Sequence, residues 1–217
     1  MQRRDFSRSL LAAGTTAVAA AGGLTLTPAL AQRVAPKEGT DFIRLKTPAP
    51  VESPASQIEV VEFFAYSCVH CFNFEPAFDE WARKKPANVN VRRMPVAFSP
   101  AFVPMQRLYF TLEAMKLVDR LHTKVFQAIH VDRQQLTTPA VITAWIEKQG
   151  GVDMARFNEF YNGAAAGLAT KATQLQDAYN VEGTPSLGVA GRFYVNGQGP
   201  RTLVVADALI AESARKA

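Results

Sequence analysis

Cys68-Val69-His70-Cys71 holds both cysteines of this chain and dictates what the segment around it must be. The run before it, Val60-Val61-Glu62-Phe63-Phe64-Ala65-Tyr66, is apolar and reads as a buried strand. The run after it has helical spacing: Cys71, Phe74, Phe78 and Trp81 recur at steps of three and four. The first cysteine therefore falls at a helix N-terminus, where unpaired backbone N–H groups and the helix dipole stabilise a thiolate. The second lies one turn on, close enough to attack a mixed disulfide formed at the first. A purely structural bridge fits this spacing poorly. Closing a loop across two residues restrains little of the unfolded chain.

The first residues read as an export leader rather than as part of the fold. Arg3, Arg4 and Arg8 precede an uncharged stretch from Leu10 to Leu26, and Ala29-Leu30-Ala31 is an A-x-A cleavage signature. A membrane anchor suits the stretch less well, since it is rich in Ala, Gly and Thr and broken by Pro28. Arg3-Arg4-Asp5-Phe6 resembles a twin-arginine signal. The general and twin-arginine routes both stay open, with a slight lean to the second. Cleavage after Ala31 leaves 186 of the 217 residues, enough for one domain with a sizeable core. It also removes three arginines and one aspartate, lowering the formal charge from +5 to +3. That balance, with no basic run longer than Arg83-Lys84-Lys85, gives no reason to invoke nucleic acid.

Along the mature chain, Phe42 to Leu45 suggests a first strand, Ile58 to Tyr66 a central one and Val89 to Val96 the next. Pro76 sits inside the helix that follows the cysteines and predicts a kink. Helical patterns then cover 103–115, 119–130, a segment opened by Thr138-Pro139 and closed by Gly150-Gly151, 153–161, and 164–179. After Gly183-Thr184-Pro185 the strand signal returns as a hairpin, 186–189 and 192–195 about Ala190-Gly191, followed by an amphipathic helix from Val204. This order predicts an α/β sheet domain interrupted by helices between about Phe98 and Gly163.

Val61-Glu62-Phe63-Phe64, the C-x-H-C pair and a Thr-Pro before a hairpin together resemble the DsbA family of periplasmic thiol:disulfide oxidoreductases. The resemblance covers most of the mature chain. It implies an α/β thioredoxin fold with an inserted all-helical domain. The arm and first strand would span 32–57, the thioredoxin-like domain 58–97 and 164–217, and the insertion 98–163. It implies Cys68 as the nucleophile that carries the mixed disulfide and Cys71 as the more buried resolving thiol. His70, between two reactive sulfurs, can favour the Cys68 thiolate. Val69 stands where the family often has Pro, which retunes the potential without changing the reaction class. Glu62, read from its strand alone, is equally open as a buried acid with a raised pKa or an edge residue facing water. The resemblance favours the buried acid, assisting proton transfer at the resolving thiol. It also implies a cis Thr184-Pro185 bond, against the roughly one in twenty expected of X-Pro bonds generally. Such a bond offers the Thr184 backbone to an extended substrate chain, strand to strand.

The function expected is a monomeric periplasmic dithiol oxidase acting on reduced exported polypeptides and reoxidised by a DsbB-type, quinone-linked membrane partner. No soluble cofactor is expected, since no Gly-rich nucleotide loop joins a strand to a helix. Rival readings remain. A reductase or isomerase could use the same fold, although 32–57 is too short for an isomerase's dimerisation domain. A metal carrier would have Cys68, His70 and Cys71 as donors, short of the four a structural zinc site wants. Covalent haem is ruled out because Phe72, not His, follows Cys71. A peptide-holding chaperone is the third class. His122 and His130 fall among the inserted helices, where surface or hydrogen-bonded core histidine is the default, and Phe72, Phe74, Phe78 and Trp81 read chiefly as core.

Overall fold

The strand β2 (Ile58–Phe64) organises the molecule. The computed structural model describes residues 35–215, so the leader expected over 1–31 and its cleavage signature lie outside the described residues. β2 is apolar but for Glu59 and Glu62, and every residue after Ile58 is buried. A strand reads this way when it has neighbours on both edges and layers on both faces. β3 (Val89–Pro95) pairs with it in parallel on one edge, and β4 (Ser186–Val189) antiparallel on the other. β4 turns back into β5 (Phe193–Val195), whose far edge takes the two-residue β1 (Ile43–Arg44), for a sheet order β1-β5-β4-β2-β3. Ala190 and Gly191, at φ 54° and 66°, make the left-handed hairpin turn anticipated between β4 and β5.

Alternate side chains of the sheet feed two cores. Val60, Leu187, Val189 and Phe193 pack with Phe74, Phe78 and Trp81 of α1 (Val69–Arg83) and with Val205 and Leu209 of α7 (Pro200–Ala214). Val61 and Phe63 face the other way, toward Tyr179 and Leu175. Tyr179 lies so close to β4 that a Cβ on Gly188 would fall 2.4 Å from its ring, and its hydroxyl accepts from the Gly191 N–H at 3.0 Å. The glycine is thus required for the helical layer to seat on the sheet.

Between β3 and β4 the chain makes a 3-10 turn (Pro100–Phe102) and five helices. These are α2 (Val103–Ala114), α3 (Val118–His130), α4 (Pro139–Lys148), α5 (Met154–Asn162) and α6 (Ala164–Ala178). Thr138 caps α4 by accepting from the Val141 N–H, and Asp153 caps α5 by accepting from the Arg156 N–H, as Ser/Thr/Asp at these positions do. α6 packs on α2 and α5 but also reaches β3, so it belongs to the helical layer and the sheet alike. The sequence starts the last helix at Val204. The structure starts it at Pro200, because proline at the first helical position extends the helix back to Gly199. α1 runs on through Pro76, which lies on its exposed face.

The N-terminal arm is pinned to α7. Asp41 accepts two hydrogen bonds from Arg201, at 2.6 and 2.7 Å, and a third from the Lys37 N–H at 2.8 Å. Those bonds, Arg201's first, hold its carboxyl down at about 2.

Candidate active site

Cys68 is the N-cap of α1, with extended backbone (φ −88°, ψ 114°), and its sulfur accepts from the Cys71 N–H at 3.4 Å. A sulfur in this position meets the unpaired amides of the first turn. Cys68 is partly exposed, Cys71 fully buried, and both are free thiols. The contact with Cys71 is the strongest influence on the Cys68 thiol and lowers its pKa from near 9 to about 5. Burial opposes this, while the Thr184 side chain and the Cys71 and His70 N–H groups add to it. Cys71 moves the other way, raised by giving its proton toward Cys68 and by burial. At neutral pH the reduced pair is therefore a thiolate beside a thiol, with the charge on the reachable sulfur.

Val69 and His70 are both exposed, so the dipeptide between the cysteines faces outward. His70 supports the Cys68 sulfur through its backbone N–H, and its side chain lines a cleft of about 450 Å³ beside the pair. Thr184 and Pro185 line the same cleft. Their peptide bond is cis, and the Thr184 carbonyl lies 3.4 Å from the Cys68 sulfur, accepting from it when it is a thiol. The rest of the cleft includes Asn73 and Phe74 of α1 and Gly197 of the β5–α7 loop. A Cβ on Gly197 would lie 2.2 Å from the Pro185 carbonyl oxygen. Backbone on both sides leaves nothing flexible to yield, so Gly197 sets how closely the loop backs the proline. Gly197→Ala is expected to slow exchange with a dithiol peptide about tenfold or more by displacing Pro185, with Cys68 still ionising near pH 5. Stopped-flow rates with a thiolate-absorbance titration check both halves, and an unchanged rate contradicts the assignment.

Glu62 is fully buried on β2. Its neighbour Glu59 is buried too, but one Glu59 oxygen accepts from the Glu52 and Ser53 N–H groups, the Ser53 hydroxyl and Arg92. Glu62 has no such set. Its register partner on β3 is Arg93, whose Nε lies 3.3 Å from Oε2. That is ion-pair distance without hydrogen-bond alignment, since neither Glu62 oxygen nor Arg93 Nε finds a hydrogen-bond partner among the described residues. Arg93 turns its Nη2 instead to Glu75 and Asp79 of α1. Burial, then repulsion from Glu75 and Asp79, raises the Glu62 pKa well above the ordinary range against the pull of Arg93.

This predicts an inverse stability effect. A carboxyl whose folded pKa is raised costs stability above its unfolded value, near 4.5, and costs nothing below it. Glu62→Gln is therefore expected to raise the melting temperature at neutral pH, with the gain vanishing in acid. Thermal melts at the two pH values check it, and destabilisation at neutral pH contradicts it.

Arg93, Glu75 and His122 belong to this site; the sequence reading passes over the first two and gives His122 only the default of a surface or core histidine. A signal exists for two of them. Arg93 faces Glu62 once the parallel register is known, and Glu75 sits one helical turn from Cys71 on the apolar face of α1. Phe72 is half-buried, stacked on His130 (centroids 5.3 Å, planes 14° apart), while Phe74, Phe78 and Trp81 are core. A second cleft, about 410 Å³, lies between Arg92, Phe110 and Lys171 and contains neither cysteine.

Comparison with known proteins gives the family and the fold. The family described as DSBA-like thioredoxin domain matches residues 59–206. The thiol:disulfide interchange protein DsbA of Burkholderia cepacia is 34% identical over 196 residues, 88% of this chain and 92% of that protein. The protein of the same name from Pseudomonas aeruginosa is 38% identical over 177 residues, 79% of this chain and 83% of that protein. The crystal structure of Pseudomonas aeruginosa DsbA superposes with a TM-score of 0.79 at 35% identity, covering 83% of this chain and 96% of that one.

Proposed function

The chain belongs to the DSBA-like thioredoxin domain family, and on that premise we propose that it is a dithiol oxidase that introduces disulfides into exported proteins. The observation that carries this reading is the asymmetry of the two thiols. Cys68 is lowered to about 5 at a helix N-cap and Cys71 is raised in the interior. In the oxidised protein a substrate thiolate attacks the Cys68 sulfur, the Cys68–Cys71 bond breaks, and Cys71 leaves and takes up a proton. A second substrate thiolate then attacks the substrate sulfur of the mixed disulfide, and Cys68 leaves as a thiolate. The substrate loses two electrons to the pair. A leaving thiol of low pKa departs quickly, and a stabilised thiolate makes the disulfide easier to reduce, so both properties drive the exchange toward substrate oxidation.

The remaining roles follow the family and the placement of each residue. Glu62, buried with a raised pKa, is the acid that supplies and recovers the Cys71 proton. The Thr184 backbone at the cis bond pairs with the substrate chain, and the cleft beside it takes the flanking side chains. His70 and exposed Val69 tune the potential from between the cysteines. The protein works as a monomer in the periplasm, and a DsbB-type quinone-linked membrane protein reoxidises it. The test is direct. Oxidised protein mixed with a reduced dithiol peptide gives one peptide disulfide for each Cys68–Cys71 pair reduced. Failure to oxidise the peptide at any pH overturns the reading.

A further inference from the structure

The Glu62–Arg93–Glu75 cluster does not end at the sheet. Glu75 Oε1 also lies 3.3 Å from Nε2 of His122, a residue of α3, and the other ring nitrogen, Nδ1, is 2.7 Å from the Tyr66 hydroxyl. All three residues are buried, at 3%, 4% and 1% exposure. The imidazole is enclosed by aromatic rings, with Phe64 and Phe126 edge-on at 5.2 Å and Tyr109 at 5.9 Å. A polar ring in such a box costs stability unless its nitrogens are engaged; here Nδ1 is hydrogen-bonded to the Tyr66 hydroxyl, and Nε2 stands at ion-pair distance from Glu75 without hydrogen-bond alignment. A leucine or phenylalanine would fill the space without that demand.

Position gives the chain its consequence. Glu75 is four residues after Cys71, one helical turn on along the buried face of α1, and its charge acts on Glu62. Tyr66 comes two residues before Cys68, and its carbonyl accepts from His130 Nε2 at 2.8 Å, fixing the turn that delivers the nucleophile. The charged and titratable groups around Glu75 and His122 come from every adjoining element. Glu62 comes from β2, Tyr66 from the turn after it, Asp79 from α1, Arg93 from β3, and Tyr109 from α2, itself bonded to Glu113. Burial alone would raise the Glu75 pKa. His122 and Arg93 outweigh it and bring it below the ordinary value, and the resulting charge in turn pushes Glu62 up.

We propose that His122 is a positioning residue of the thiol chemistry: held between the Tyr66 hydroxyl and Glu75, it fixes the Glu75 carboxyl one turn from Cys71, so that a residue of the helical layer governs the pH dependence of the dithiol. The inference rests on the dithiol-oxidase reading and adds a specific controller to it. Without His122, burial of Glu75 is opposed by Arg93 alone, and the carboxyl takes up its proton at higher pH. The test compares the pH–rate profile of peptide oxidation in the parent, His122→Leu and His122→Gln. His122→Leu should move an inflection of that profile upward by about one pH unit, a tenfold rate difference on the sloping limb. His122→Gln, whose amide can still donate to Glu75, should restore most of it. Carbon-13 titration of the glutamate carboxyls in the same proteins reads the Glu75 shift whether or not peptide is oxidised. A His122→Leu protein that melts earlier but shows a superimposable rate profile and an unmoved Glu75 overturns the proposal. If His122→Leu does not fold, Tyr66→Phe keeps the ring and removes only the hydroxyl on Nδ1. It should shift both readouts in the same direction by less, and unmoved readouts there overturn the proposal equally. A parent that leaves the peptide reduced at every pH overturns the oxidase reading instead, and the carboxyl titration then decides on His122 alone.

Discussion

Cys68→Ser is expected to abolish dithiol oxidation, and Cys71→Ser to turn the protein into a trap for mixed disulfides. The two losses differ because the two sulfurs differ. Cys68 is the partly exposed N-cap of α1, beside the cleft and 3.4 Å from the Thr184 carbonyl, so substrate meets it first. A serine hydroxyl at that site keeps the cap but can form no disulfide, and no other cysteine can replace it, Cys71 being fully buried. With Cys71→Ser the reactive thiolate remains while the neighbouring thiol that would attack Cys68 in a stalled mixed disulfide, and free the chain in reduced form, is gone. Non-reducing gels of each variant after incubation with a reduced, unfolded substrate and an oxidised glutathione buffer separate the outcomes. Mixed-disulfide bands should accumulate with Cys71→Ser and be absent with Cys68→Ser. Normal turnover by Cys68→Ser would contradict the roles.

The second large effect is on stability. Reduced protein is expected to be more stable than oxidised protein at neutral pH, the opposite of what a structural disulfide does. A group whose folded pKa is depressed contributes stability that is complete above its unfolded value and lost as pH falls through the folded one. For Cys68 that window runs from near 9 down to about 5. At neutral pH roughly half of it is in force, on the order of 2 kcal/mol after allowing for screening at a partly exposed sulfur. That corresponds to a melting temperature roughly 4–8 °C higher for the reduced form of a domain this size. Cys71 does not offset this, because a raised thiol pKa costs stability only above the unfolded value. Paired thermal melts from neutral to acid pH check the sign and the window. The gap should close below about pH 5. An oxidised form as stable as the reduced one, or a gap independent of pH, contradicts the account.

What was legible in the sequence was local. Strand-then-helix spacing on either side of Cys68 is enough to place it at a helix start, and Thr138-Pro139 and Ala190-Gly191 mark a cap and a turn by chemistry that acts within four residues. Glu62 shows where this stops. Its own strand left burial and exposure equally open, because a single acid in an apolar run has no periodicity of its own. Only the parallel register that sets it against Arg93, with Glu75 arriving from the helix above, defines its environment. His122 reads as an ordinary core histidine from α3 alone, and its bond to Tyr66 spans 56 residues of sequence. Gly197 gives no sign that its missing Cβ makes room for the Pro185 carbonyl. The cis state of that proline entered through family resemblance, since the base rate for X-Pro bonds points the other way.

A stabilised Cys68 thiolate makes the Cys68–Cys71 disulfide easy to reduce. The equilibrium reduction potential of the Cys68–Cys71 pair, measured against a graded series of reduced and oxidised glutathione, tests it most directly. The expected potential is clearly more oxidising than glutathione, with the pair reduced by small amounts of thiol. A strongly reducing potential would leave the fold intact and reverse the function, to a reductase that maintains thiols in exported proteins.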